Sequence, residues 1–488
     1  MTTTLEPKDK LDTEPGQGVV NGPEGEPIDW SRVDWDAAED NVRRLRQRIF
    51  TASQAGDLAK VRNLQKLMLR SHSNTLVSVR RVAQINAGRK TPGIDGKTAL
   101  LTQQKAELVD WVEHRSSSWT SRAVKRVFIP KAGNTNKQRP LGIPVLADRA
   151  LQARVANALE PEWEARFESR SYGFRPGRGC HDAIEAIYGT CKGTRSKRVW
   201  ILDADLAAAF DHLDHDHLLN QLGTFPAKGM IAGWLKAGVV DRGRFAPTEE
   251  GAPQGGVVSP LLLNVALHGM EEAAGVRYLT GTHASHTAPG SPVVVRYADD
   301  LVALCHSREE AEQVKARLAE WLAPKGLTFN EGKTRIAHLT EGFDFLGCHV
   351  RRYANGKLII KPSKAAVQRI RKRLRTEMRG PARGERRSGA ATTQPHHQGL
   401  GCLLPNGGVQ ARVYHAGRLC VVAHFQMGRP QPPEQTEVLG ASPVLRRVQP
   451  VPARQLGVRR PRYRRLPHEI RLDKDRPTPD RRRLRIPG

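Results

Sequence analysis

No apolar run in this chain reaches the roughly 20 residues that a helix needs to cross a bilayer. The longest, "VVSPLLLNVALHGM" from Val257 to Met270, falls short, and the start "MTTTLEPKDKLDTEPGQG" has no apolar signal core. No membrane partner and a cytoplasmic location are therefore expected. Cysteine is scarce as well. Six residues (Cys180, Cys191, Cys305, Cys348, Cys402 and Cys420) are scattered over 488 without a C-x-x-C pair, which argues against a disulfide framework and a zinc knuckle. Acidic residues are also few: 50 Asp and Glu face 78 Lys and Arg, leaving a net charge of +28. That excess points to a polyanionic partner, nucleic acid before any other.

What is present changes character along the chain. Residues 1–28 are polar and rich in Gly, Pro and Glu, and cannot bury enough apolar surface to order themselves. From Trp30 to about Ala87, Val42, Leu45 and Ile49, then Val61, Leu64 and Met68, recur at helical spacing. Arg43, Arg44, Arg46 and Arg48 decorate the opposite side, as a solvated face or a contact for nucleic acid. From Thr91 to about Thr376, short β-rich runs mix with helical segments. Beyond about Gly380, Lys nearly vanishes in favour of Arg, Pro is frequent, and no periodicity survives.

Within the third stretch, "VVVRYADDLVALC" (Val293–Cys305) sets two aspartates between runs of strand length. The simplest geometry is a tight β-hairpin with the carboxylates at or near its turn. Like charges that close repel unless they share a proton or bind a cation. Mg²⁺, a hard ion that accepts one or two carboxylates, is the natural candidate. A third carboxylate is offered by "RVWILDADLAAAFDHLDH", an apolar strand from Val199 ending in Asp203 and Asp205, followed by a helical segment. Period two puts Asp203 and Asp205 on one face.

Eight blocks stand in order from about Val79 to about Lys364. They are "GRKTPGIDG", "RVFIPKAGNTNKQRPLGIPVLADRALQ", "SYGFRPGRGCHDAI", "DADLAAAFDHLDH", "GAPQGGVVSPLLLN", "RYADD", "GLTFNEGKT" and "FDFLGC". The chain thereby resembles the reverse transcriptases encoded by bacterial group II introns. The resemblance implies an α+β right-hand polymerase fold, with fingers and an antiparallel palm over residues 91–360 and the start of a helical thumb at 361–380. It makes residues 29–90 an RNA-binding extension. It implies copying of an RNA template from a DNA primer with dNTPs, two Mg²⁺ ions (Mn²⁺ in their place), group II intron RNA as partner, and leaves a homodimer open. Asp205, Asp299 and Asp300 would hold the metals, Asp205 being preferred because an aromatic, Phe210, stands five residues on. Phe210 would exclude the 2′-hydroxyl, Lys131 and Arg139 would clamp the triphosphate, and Gln254 would lie along the nucleotide, with Gly255 and Gly256 admitting close backbone approach. Lys333 would protonate the departing pyrophosphate, and Phe345, Leu346 and Gly347 would grip the primer.

The family's maturase region, which helps intron RNA to splice, is missing where it is expected. Instead "QPHHQGLGCLLPNGGV" (Gln394–Val409) reads as a family peptide, L-N-P-I-I-R-G-W-A-A-Y-Y-R-T, translated two bases along in GC-rich codons. Residues 381–488 are thus expected to be a basic, disordered, out-of-frame tail, with a genuine basic, disordered RNA-binding arm as the alternative, and no DNA endonuclease domain is expected. The alternative to a polymerase is a non-enzymatic intron RNA-binding splicing factor or an inactive relic.

Overall fold

The computed structural model describes residues 28–131, 134–193, 196–281 and 286–378, with backbone alone at 131, 134–137, 377 and 378. The expected disordered start and out-of-frame tail lie outside the described residues.

Three helices come first: the amphipathic α1 (Trp35–Gln54) and α2 (Leu58–Arg70), then α3 (His72–Arg80). Asp34, Asp57 and Ser71 cap them, each side chain accepting from a backbone N–H at the helix start. Val42, Ile49, Val61, Leu64 and Met68 are all buried, as their spacing predicts. Arg46 departs from its neighbours. It turns inward to pair with Glu160 and to donate to Asn157 at 3.3 Å, so it ties this bundle to the rest of the fold. After α4 (Thr102–Asp110), β1 (Val124–Lys131) and β2 (Asn134–Ile143) form a long hairpin. Next comes α5 (Leu146–Glu164), buried on nearly every side because the N-terminal helices pack on it from one direction and later segments from the other.

The remaining elements mix short helices and strands. They are α6 (Cys180–Cys191), β3 (Trp200–Asp205), α7 (His215–Gln221), α8 (Lys228–Leu235), β4 (Val239–Asp241) and β5 (Arg244–Ala246). They continue with α9 (Ser259–Ala266), α10 (Met270–Ala273), β6 (Val293–Tyr297), β7 (Asp300–Cys305), α11 (Arg308–Leu322), β8 (Arg335–His338), β9 (Phe343–Phe345), β10 (Cys348–Arg352), β11 (Leu358–Pro362) and α12 (Lys364–Met378). The central sheet runs β6-β7-β3-β8, antiparallel throughout. Leu301, Ala303 and Cys305 of β7 point into the helical core, while Val302 and Leu304 point to a second core with Ile187 of α6 and Phe343 of β9. Burial on both faces explains why β6 and β7 read as unbroken apolar runs. The architecture is a mixed α+β fold with an antiparallel sheet and helices, as expected.

Two features differ from expectation. No helix follows β3 directly: residues 206–214 form turns, because their backbone groups are engaged elsewhere, Ala207 N donating to Thr328 O and Phe210 O accepting from Ala252 N. A second sheet, β2-β1-β4-β5, contains a parallel pairing of β1 with β4 that no local pattern announces. Among the described residues no helix is long and apolar enough to cross a membrane.

Candidate active site

The two aspartates lie where a hairpin turn was expected. Tyr297 pairs with Asp300, leaving Ala298 and Asp299 as a two-residue turn with Ala298 at φ 58°. Asp205, the last residue of β3, pairs directly with Asp300 across the sheet. Three carboxylates from two segments therefore meet at one end of the sheet. Burial, then the charges of Asp299 and Asp205, push the Asp300 carboxyl up to about 7; burial and Asp205 raise that of Asp299, against the pull of Arg139 and Lys333. Asp203 is drawn elsewhere. It pairs with Arg335 at 3.2 Å, while burial pushes its carboxyl up.

Such crowding is relieved by positive charge, and Lys333 supplies some. Its Nζ lies 2.5 Å from Asp205 Oδ2, and Asn330 Nδ2 donates to the same oxygen at 3.3 Å. The donor set, three crowded carboxylates with that of Asp300 pushed up first by burial and then by its neighbours' charge, suits hard divalent ions. Among the described residues, however, no group of three or more His, Cys, Asp or Glu side chains is arranged to hold a metal as it stands. Lys333 occupies the position of a competing cation.

The other predicted residues are spread around this centre. Phe210, half-buried, lies in the turns after β3 and lines a cavity of about 240 Å³ with Gln254, Arg126, Trp234 and Glu250. Arg139 is exposed on β2 opposite Ile129, and its charge reaches Asp299. Lys131 ends β1, and its side chain lies outside the described ones. Gly255 and Gly256 approach the chain itself: a Cβ at 255 would meet Gly142 O at 2.6 Å, and one at 256 would meet Ser259 Oγ at 2.5 Å. Their first role is to let this loop lie against β2 and α9. Phe345 is buried in the core, and Leu346 and Gly347, both at positive φ, form the turn between β9 and β10.

A supporting network escapes any reading of the local sequence. Arg296, fully enclosed behind the turn, donates through Nη1 to Asn264 Oδ1 at 2.9 Å and to Ala298 O at 3.2 Å. Asn264 Nδ2 in turn donates to Gly173 O at 2.8 Å. Gly173 sits so close that a Cβ there would stand 2.3 Å from Ala298 N. Behind Arg296 lies Glu168. Burial alone would raise its carboxyl, but His268, the Arg296 charge and the Gly269 N–H together hold it at about 2. The one visible signal was an arginine inside an apolar run, in "VVVRY".

Residues 129–350 match the family described as reverse transcriptase (RNA-dependent DNA polymerase), and residues 30–112 match the N-terminal domain of reverse transcriptase. Protein YkfC of Escherichia coli K12 is 32% identical over 338 residues, covering 63% of this chain and 87% of that protein. The group II intron-encoded protein LtrA of Lactococcus lactis subsp. cremoris is 27% identical over 330 residues, 56% of this chain. The chain spans about half of that relative's length, 54%. A solved apo telomerase from Candida tropicalis aligns at a TM-score of 0.37 with 14% identity, over 49% of this chain and 55% of that one, a likeness too slight to argue from.

Proposed function

The chain belongs to the reverse transcriptase family, and from that premise we propose that it is an RNA-directed DNA polymerase of a group II intron. The observation that carries this reading is the register of Asp205 against Asp300 with Asp299 beside them in the turn. Asp205, Asp299 and Asp300 would hold two Mg²⁺ ions, with Mn²⁺ able to replace them. Such ions would supply charge neutralisation for an in-line displacement at phosphorus. The protein's own groups do the rest. Arg139 and Lys131 receive the triphosphate, Phe210 and Gln254 border the nucleotide, and the turn at Leu346 and Gly347 meets the primer strand.

In this reading the β1–β2 hairpin belongs to the fingers, the central sheet is the palm, and α12 begins the thumb. Residues 29–90 bind RNA through Arg43, Arg44 and Arg48, while Arg46 serves packing. Splicing assistance belongs to the intact relatives' maturase region. The test is incorporation of dNTPs on a primed RNA with purified protein and Mg²⁺. Incorporation that disappears in Asp299→Ala supports the reading; RNA binding without incorporation leaves the non-enzymatic splicing factor.

Two further outcomes are expected. Lys333 pairs with Asp205; released from it, it would give a proton to the departing pyrophosphate. Lys333→Met should slow single-turnover incorporation about a hundredfold, the size of a lost general acid. Gly173→Ala forces a methyl into the Ala298 backbone. A carboxylate displaced by about 1 Å costs roughly a hundredfold in rate, so kcat should fall by that order while RNA binding, measured by filter retention, holds.

A further inference from the structure

Phe174 carries a backbone conformation that its side chain does not favour. Its φ is 60°, a region that side-chain-bearing residues enter at a cost and glycine enters freely. Burial does not account for the choice, since the side chain is 46% exposed. The segment is nevertheless held hard. Arg175 grips Glu164 with Nε and Nη2 at 2.8 and 2.6 Å, and its Nη1 donates to the carbonyls of Glu168 and Ser171, each at 2.7 Å. On the other side Gly173 abuts the turn that carries Asp299. Between these anchors the Phe174 ring meets Phe210 edge-to-face, with centroids 6.3 Å apart and planes at 68°, within the range where aromatic edges attract faces.

A strained, exposed aromatic clamped from both sides, with its ring against Phe210, has the marks of a functional placement. We propose that Phe174 is a positioning residue for nucleotide selection: it braces the Phe210 ring so that a ribose 2′-hydroxyl cannot push it aside. This rests on the reading of Phe210 as the group that excludes that hydroxyl. Without the brace, Phe210 keeps its bulk but yields more easily, so discrimination weakens without vanishing.

The experiment compares kcat/KM for dNTP and rNTP in the full-length wild type and in Phe174→Ala, Phe174→Leu and Phe210→Ala. An edge-to-face pair of ordinary strength predicts that Phe174→Ala raises relative rNTP use about three- to tenfold, with Phe174→Leu between it and wild type and Phe210→Ala above both. An unchanged ratio in Phe174→Ala beside a raised one in Phe210→Ala overturns the brace alone; unchanged ratios in both overturn the reading of Phe210 and the brace with it. Thermal melting reads the same claim without turnover. Phe174→Ala should melt within a few degrees of wild type and Phe174→Gly above Phe174→Ala; a large loss in Phe174→Ala would make the ring a core residue and end the proposal.

Discussion

Replacing Asp300 by Asn is expected to stop nucleotide incorporation and, in the same protein, to make the metal-free form harder to melt. The first effect follows from removing one of three carboxylates around which the proposed metal pair is built; a loss on the order of a thousandfold or more matches the removal of a principal electrostatic stabiliser. The second follows from crowding. Asp300 is buried beside Asp299 and Asp205, and its carboxyl is pushed up from 3.8 to about 7. The unfolded chain therefore gives up this proton first. Between about pH 4 and 7 the folded state holds a proton that the unfolded state lacks, so its stability falls as pH rises through that window. The Asn variant has no such proton to lose. Melting curves without metal at pH 5 and pH 8 should show wild type losing ground to the variant at the higher pH. A variant that lost activity and stability together would make Asp300 a structural residue.

Much of this centre is legible in the chain because it is built from local patterns. β-branched or aliphatic runs on both sides of "ADD" leave a hairpin as the simplest geometry, and the structure has its two-residue turn at Ala298 and Asp299. The apolar run into Asp205 likewise ends as the strand β3. The two sheet neighbours that bring Asp205 to Asp300 are 95 residues apart in number, and only the family resemblance, not periodicity, joined them. Where reading failed, the cause was contact between distant segments. Gly255 is crowded by β2, whose Gly142 O would stand 2.6 Å from a Cβ there, a fact that lives more than a hundred residues away. Arg46 sits among exposed arginines with nothing local to mark it; its partner Glu160 is on α5. The stretch after β3 has helical composition but spends its hydrogen bonds on residues near 251 and 325, and tertiary pairing outweighs propensity there.

Arg296 is the clearest case, and its removal should be the most damaging single change away from the carboxylates. Arg296→Met preserves length and apolar stem but withdraws the donor shared by Asn264 and Ala298, and the positive charge that faces Glu168. Removing one member of a buried charged set costs about 3–5 kcal/mol, which denaturant titration at pH 7 will register. Acid offers a second reading of the same cause. Glu168 is held at about 2, below its ordinary 4.5, so the stability it confers is present above about pH 4.5 and is lost as pH falls toward 2. The gap between wild type and Arg296→Met should therefore narrow over that window. Adding Glu168→Gln to Arg296→Met should restore part of the loss at pH 7, since the double variant no longer buries a lone carboxylate, and the coupling between the two changes measures the interaction. Strict additivity of the two losses would show that Arg296 acts through its hydrogen bonds to the turn alone. In either event the turn loses the donor that fixes Ala298 O, so incorporation should fall even under conditions where the variant is fully folded.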